Sequence, residues 1–403
     1  MRIPKSLPEG WGFHRLLDCC TPQQWPTLAK SELTPEGYMV FGANGPLGRY
    51  PKYNHEHETI AIGCRGACGT IQIIPPKSYV SGNAMCLDSV DEAVVSPAFL
   101  YHALSYRNVS DAVTGSAQPQ ITRNSLKRVA LPRPPPDEQA AIARILDAVD
   151  TALERTRTAV ARARELRESL LAELLSRGVG DDGKVRNPKR SPSQFVQTPL
   201  GLLPGAWTLS RVGKEFEIQN GFTINENREI RFPKRHYLRV ANVQRDALDL
   251  DEIKELEAGD REFAPRVLAI DDLLVVEGHA DRMQIGRCAR VTAAAAGTTF
   301  QNHLFRLRTR EAITPEFGCL WLNSTYALRY WNACCATSSG LNTINQRMLK
   351  RLVIPVPPKP EQEKITTVIA QQRKHLKALV AKQQGYETLK KSLMHDLLTG
   401  RVR

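Results

Sequence analysis

Leu131 to Val179 reads LPRPPPDEQAAIARILDAVDTALERTRTAVARARELRESLLAELLSRGV, and Ile354 to Val402 reads IPVPPKPEQEKITTVIAQQRKHLKALVAKQQGYETLKKSLMHDLLTGRV. The two align without a gap at one constant offset, that separating Ile142 from Ile365. Pro132, Pro134, Pro135, Glu138, Gln139, Ile142, Leu153, Leu166, Ser169, Leu170, Leu174, Leu175 and Val179 all face identical residues. A repeat of this length is architecture.

Asp137 to Arg177 contains neither Pro nor Gly, and 41 residues at about 1.5 Å each span roughly 60 Å of helix. Ile142, Leu146, Val149, Leu153, Thr156, Val160, Ala163, Arg167, Leu170 and Leu174 advance by alternating steps of four and three, the coiled-coil period. The second copy fills the same slots with Ile365, Ile369, Gln372, Leu376, Leu379, Gln383, Tyr386, Lys390, Leu393 and Leu397. Both seams admit a basic residue at the matching point, Arg167 and Lys390. Asp137, Glu138 and Glu361 suit helix starts, Pro360 suits a first turn, and Gly178 and Gly400 suit the exits.

Outward from the helices, the repeat covers the whole chain. Leu7-Pro8-Glu9-Gly10-Trp11 recurs as Leu203-Pro204-Gly205-Ala206-Trp207, at a shorter offset, so the second globular unit is the longer. The organisation expected is a unit at 1–130, a helix segment at 131–179, a linker at 180–200, a second unit at 201–353 and a second helix segment at 354–403. In the first unit Thr59 to Cys64 and Thr70 to Ile74 read as strands around Arg65-Gly66-Ala67-Cys68-Gly69; in the second, Leu273 to Val276 and Arg287 to Val291 flank a loop from Gly278 to Gly286. Gly82-Asn83-Ala84 is echoed by Gln301-Asn302-His303, and Gly115 to Thr122 by Ser339 to Asn345. The 180–200 stretch carries Gly, Asp, Pro, Lys and Ser without apolar periodicity and is read as linker. Its random-coil reach of about 25 Å favours antiparallel helices, since parallel ones require a return of about 60 Å.

The chain has 403 residues, 42% of them hydrophobic, and a formal net charge of +13. That length allows two to four domains with real cores. No run of about 18 apolar residues is present to span a membrane and no signal peptide is legible, so a cytoplasmic protein is expected. Nine cysteines without CxxC spacing predict packed, reduced thiols. The positive charge points to a polyanionic partner, nucleic acid before membrane. Two diverged basic units on a stiff spacer suit a long anionic ligand with dyad symmetry, and duplex DNA fits best.

Phe41-Gly42-Ala43-Asn44-Gly45-Pro46-Leu47-Gly48, Ile62-Gly63-Cys64-Arg65-Gly66-Ala67-Cys68-Gly69, Gly115-Ser116-Ala117-Gln118-Pro119-Gln120, Gln301-Asn302-His303-Leu304 and the paired Pro-Pro-x-x-Glu-Gln stretches at Pro135 and Pro358 form an ordered set. On these residues the chain resembles the specificity subunit of type I restriction-modification systems, in which two target-recognition domains alternate with two conserved helices. The resemblance implies an α+β fold: two globular target-recognition domains, separated by two long helices in an antiparallel coiled coil, with a pseudo-two-fold internal repeat. It also implies a non-catalytic subunit that binds double-stranded DNA and recruits two methyltransferase subunits and two restriction/translocase subunits. S-adenosylmethionine, ATP and Mg are then expected in the partner subunits and no cofactor on this chain. The usual Leu-x-Glu-Gln after the prolines is Pro136-Asp137-Glu138-Gln139 and Lys359-Pro360-Glu361-Gln362 here.

Catalytic motifs are missing. There is no Asn-Pro-Pro-Tyr/Phe or Asp-Pro-Pro-Tyr to hold a flipped adenine, no evident Gly-rich loop for S-adenosylmethionine, and no GxxxxGK[ST] phosphate loop. The candidates for DNA contact are Asn44, Arg49, Lys52, Arg65 and Asn83 in the first unit, then Arg239, Asn242, Arg282, Gln284, Arg287, Asn302 and His303 in the second. Arg can hold guanine O6/N7, and Asn or Gln can hold adenine N6/N7, by paired hydrogen bonds. The bland alternatives are amides that close turns at Asn44, Asn83 and Asn302, a satisfied core histidine at His303, and a solvated loop rather than a metal site at His55, Glu56, His57 and Glu58. Two rival classes stay open: a single-chain methyltransferase-nuclease carrying its own specificity region, and a coiled-coil scaffold with no DNA role.

Overall fold

The structure, a computed structural model, describes residues 7–223, 233–338 and 340–402. Its longest elements are the helices Pro136–Arg177 and Lys359–Leu398. Each leaves through a glycine in the left-handed region, Gly178 at φ 64° and Gly400 at φ 70°. All twenty heptad positions read from the sequence are buried or half-buried, whereas Leu166, off the seam, is 58% exposed.

The chain divides into two compact units, Met1–Val160 with Leu379–Arg403, and Ala161–Ala378. Packing therefore cuts both helices near their middles, not at the borders between helix and globular region expected at 130 and 353. In the first unit Asp150 pairs with Lys390 at 2.5 Å and Arg157 with Glu387 at 3.2 Å, so one helix descends as the other rises. In the second, Asp246 accepts from both Arg167 and Arg373, and the Val179 N–H reaches Glu361 at 2.9 Å, which gives the same antiparallel sense. The two basic seam residues are thereby matched: Lys390 meets Asp150 and Arg167 meets Asp246.

Each unit repeats one topology. The first has a four-stranded sheet in the order Thr21–Gln24, Ala84–Asp88, Thr59–Gly63, Ile71–Ile74; the second has Phe216–Asn220, Leu304–Thr309, Leu273–Val276, Cys288–Arg290. Beside it, Tyr38–Gly42 pairs antiparallel with Gly45–Tyr50 and parallel with Tyr79–Val80. Its counterpart Lys234–Leu238 lies between Lys254–Glu257 and Thr299–Phe300 in the same senses. Gly12–Arg15 pairs with Ala130–Arg133, and Thr208–Arg211 with Val353–Val356, in matching register. The central strands are apolar on both faces because each sheet is covered twice. Leu273 and Val275 join a core with Phe317 and Trp321, while Leu274 and Val276 face a second cluster around Phe300.

The helix starts are held by the repeated glutamine. Gln139 Nε2 donates to the carbonyls of Val94 and Pro134, and its Oε1 accepts the Ser96 N–H at 3.0 Å. Gln362 does the same with Ala312, Pro357 and Thr314, each at 2.8 Å. Ser96 and Thr314 are the N-caps of Pro97–Arg107 and Pro315–Leu322, so one buried amide ties a long helix to the start of a domain helix.

The 180–200 stretch is not a bare linker. Phe195–Thr198 and Gly201–Pro204 form a hairpin, Val179 bridges Val185, and Val185 and Leu200 pack on the second unit's core. Single apolar residues anchor it, and these leave no periodic trace. All nine cysteines are free thiols, most of them buried. Among the described residues no helix is long and apolar enough to cross a membrane.

Candidate nucleic-acid interface

The first unit gathers polar groups where its central strand ends. The loop after Gly63 folds back, with the Gly63 N–H on the Thr70 carbonyl and the Gly69 N–H on Gly63, both at 2.8 Å. A Cβ at Gly63 would strike the Ala67 carbonyl and lie 2.8 Å from that of Ala43, so only glycine lets loop and hairpin turn meet. The Asn83 carbonyl takes the N–H groups of Cys64 (2.7 Å) and Arg65 (3.2 Å), the Arg65 backbone bridges Gln120, and Ile121 donates to Cys64 at 2.9 Å. The Cys68 thiol donates to the carbonyls of Cys64 and Pro119, which makes that cysteine a loop fastener. These contacts bring Asn44, Arg65, Asn83 and Gln120 to one edge. The Arg65 side chain is exposed, and its guanidinium makes no hydrogen bond or ion pair among the described residues. Arg49, whose guanidinium is on the Gly37 carbonyl at 2.8 Å, and the exposed Lys52 lie toward the other end of the hairpin.

The second unit builds the same frame from different side chains. The Glu277 N–H donates to the His303 carbonyl at 3.0 Å, the Ile344 N–H donates to the Glu277 carbonyl at 2.9 Å, and Gly278 pairs with Thr343. Glu277 therefore stands where Cys64 stands, His303 where Asn83 does, Gly278 for Arg65 and Thr343 for Gln120. The sequence echo that set Asn83 against Asn302 is one residue out of step, because strand pairing fixes the register. His303 is exposed, its Nδ1 3.2 Å from a Glu277 oxygen, which removes the core-histidine alternative. The 278–286 loop is organised by Asn342, which donates to Ala280 at 2.9 Å and accepts from Arg282 Nε at 3.1 Å. Arg282 is exposed, and Asn302 and Gln284 are half-buried.

Two expected base readers are committed to the protein instead. Asn242 is 3% exposed; its Oδ1 accepts the Arg239 N–H at 2.8 Å and its Nδ2 donates to Asp249 and Glu252 carbonyls, so the amide closes a loop. Arg287 is 6% exposed and donates to the Val240 carbonyl and to Gln284. Burial, with Arg245 close by, pulls its guanidinium below the ordinary value. Neither has a free edge to offer a base. Arg239 is held by Glu252 at 3.0 Å. The run from His55 to Glu58 does not converge either, since His55 is buried and the other three are exposed. Gln120 and Thr343 were not singled out from the sequence; their only signal was their place in the stretches that repeat between the units.

The type I restriction modification DNA specificity domain matches residues 8–162 and, a second time, residues 204–383. The chain belongs to this family. The EcoKI specificity subunit of Escherichia coli (strain K12) is 23% identical over 348 residues, 84% of this chain and 68% of that protein. The EcoprrI specificity subunit of Escherichia coli is 32% identical over 128 residues, 32% of this chain and 31% of that one. The crystal structure of a type I restriction-modification system S subunit from M. genitalium superposes with a TM-score of 0.62 at 16% identity, covering 99% of this chain and 98% of that one. A structure from work on assembly and conformational transition of the type I R-M system gives 0.54 at 18% identity, covering 99% and 100%. At such identities these superpositions establish the fold. As a member of the type I specificity family, the chain is the DNA sequence specificity subunit of its system, a non-catalytic part. Both copies of the specificity domain begin in a globular region and run into a long helix.

Proposed function

We propose that this specificity subunit reads a bipartite duplex target, one part per unit, through the polar edges at the ends of the two four-stranded sheets. The observation that carries the reading is one backbone frame with exchanged side chains: Arg65, Asn83 and Gln120 in one unit stand where Gly278, His303 and Thr343 stand in the other. A fixed frame with variable polar groups is what different base readout on one scaffold requires, since donor and acceptor pattern in the groove distinguishes the base pairs. Asn44, Arg65, Asn83, Arg282, Asn302 and His303 are the side chains assigned to base edges, with Arg49, Lys52, Arg239 and Gln284 placed to support or to meet phosphates.

The repeated helices and their Pro-rich starts are assigned to two methyltransferase subunits, and through them to two restriction/translocase subunits. A repeated surface offers two like partners equivalent positions. S-adenosylmethionine, ATP and Mg belong to those partners in this reading, and the complex works on DNA in the cytoplasm. Methylation mapping of a genome that expresses the chain with its partner subunits tests it. A methylated motif in two separated parts is expected, and a single uninterrupted motif overturns the reading. Duplex binding by the assembled complex should weaken steeply with salt; salt-insensitive binding favours a scaffold role.

A further inference from the structure

His55 lies away from the sheet edge assigned to DNA and is 8% exposed. Its protonation pattern can be read from Asn54. That amide clamps Val80, its Nδ2 donating to the Val80 carbonyl at 3.0 Å and its Oδ1 accepting the Val80 N–H at 2.8 Å. The oxygen end is therefore fixed, and His55 Nδ1, 2.7 Å from it, must carry a proton and donate. In the neutral ring Nε2 is then a bare lone pair, facing the Asp88 carboxylate at 3.4 Å. Both Nε2 and Asp88 Oδ2 are buried with no hydrogen-bond partner among the described residues. Two acceptors turned toward each other call for a positive charge between them.

Cys86 supplies a third donor. It sits two places before Asp88 on the strand Ala84–Asp88, so both side chains leave by one face. The His55 nitrogen, the Cys86 sulfur and an Asp88 oxygen lie within 4.8 Å of one another. Trp25 packs edge-on against the His55 ring at 5.4 Å. A cavity of about 530 Å³ opens beside the group, with His55 and Asp88 in its lining.

We propose that His55, Cys86 and Asp88 form a binding site for a divalent cation of the zinc type, its fourth position open to the cavity. Mixed nitrogen, sulfur and oxygen donors suit Zn²⁺ and disfavour Mg²⁺ and Ca²⁺, which take oxygen. A tetrahedral centre with bonds of about 2.1 Å has ligand atoms about 3.4 Å apart, the spacing of the His55 and Asp88 atoms. The cation accepts three lone pairs, the Cys86 thiol proton passes to water, and nothing is oxidised or reduced. Asn54 is the positioning residue that keeps the ring turned and its tautomer set. The bound ion pins the segment around His55 to the sheet.

Cobalt(II) titration of the full-length chain, stripped of metal and kept reduced, tests the proposal. The expected result is one equivalent bound with a sulfur-to-cobalt charge-transfer band, displaced by Zn²⁺. His55→Gln and Asp88→Asn should weaken binding tenfold or more, Asn54→Ala by about 10–100-fold, and Cys86→Ser should abolish the band; His57→Ala and Glu58→Gln should change nothing. Wild-type chain that takes up no cobalt, or takes it up without the band, overturns the site whichever variants fold. A band that survives in Cys86→Ser overturns it too.

Discussion

Of two pairs of residues of the same chemical type, one does different work at its two places in this chain and the other does the same. The Arg65 guanidinium is exposed and without a partner among the described residues, whereas that of Arg287 is buried on Val240 and Gln284. Arg65→Ala is expected to leave thermal unfolding unchanged and to relax recognition at one base pair by about 1–3 kcal/mol. Arg287→Ala should lower the melting temperature instead, since it removes a buried guanidinium that ties Val240 to Gln284. Methylation mapping beside thermal unfolding separates the two effects. Gln139 and Gln362 form the second pair, alike in sequence and in every hydrogen bond. Gln362→Ala leaves the Thr314 N–H and the Ala312 and Pro357 groups without a partner, which costs about 1–3 kcal/mol per buried unsatisfied group. Denaturant unfolding should show the loss, and Gln139→Ala should show a like one.

At the level of elements, the helices carry both a seam and a charge register. Two residues inserted in Pro136–Arg177 after Arg167, inside the second unit, turn Leu174 and Leu175 by about 200° relative to Arg167, so the Arg167–Asp246 pair and the core places of both leucines cannot all be kept. Loss of cooperative unfolding is expected. Seven residues inserted at matched points in both helices keep the seam facing inward, and that variant should fold. Outside the seam, Arg164 and Glu168 are exposed. Reversing both charges is expected to weaken capture of the methyltransferase subunits in a pull-down before it lowers the melting temperature. Undiminished capture, with further reversals added around them, would move the docking surface elsewhere.

For the whole molecule, the expectation is separable specificity. Replacing residues 1–130 with the matching region of another family member should change one part of the methylated motif and leave the other intact. The graft must keep an N-cap and carbonyl in the positions of Ser96 and Val94, because Gln139 is held there. It must also keep the apolar surface that covers Ile142, Leu146, Leu397 and Leu398. A chimera that folds yet changes both parts of the motif would deny that each unit reads alone.

The repeat, both long helices, their glycine exits and the seam were legible in the sequence because each rests on spacing along a single stretch of chain. Thirteen identities at one offset and a seven-residue period need no knowledge of what lies opposite. The central strands were legible for a related reason: Leu273–Val276 is apolar throughout because it is covered on both faces. Tertiary structure alone decided the rest. Whether Asn83 corresponds to Asn302 or His303 depends on strand register, where one step changes every partner. Whether Asn242 and Arg287 face solvent or close a loop depends on carbonyls from elsewhere in the fold. His55 meets Cys86 and Asp88 only because the fold brings distant stretches together, and no spacing along the chain records that meeting.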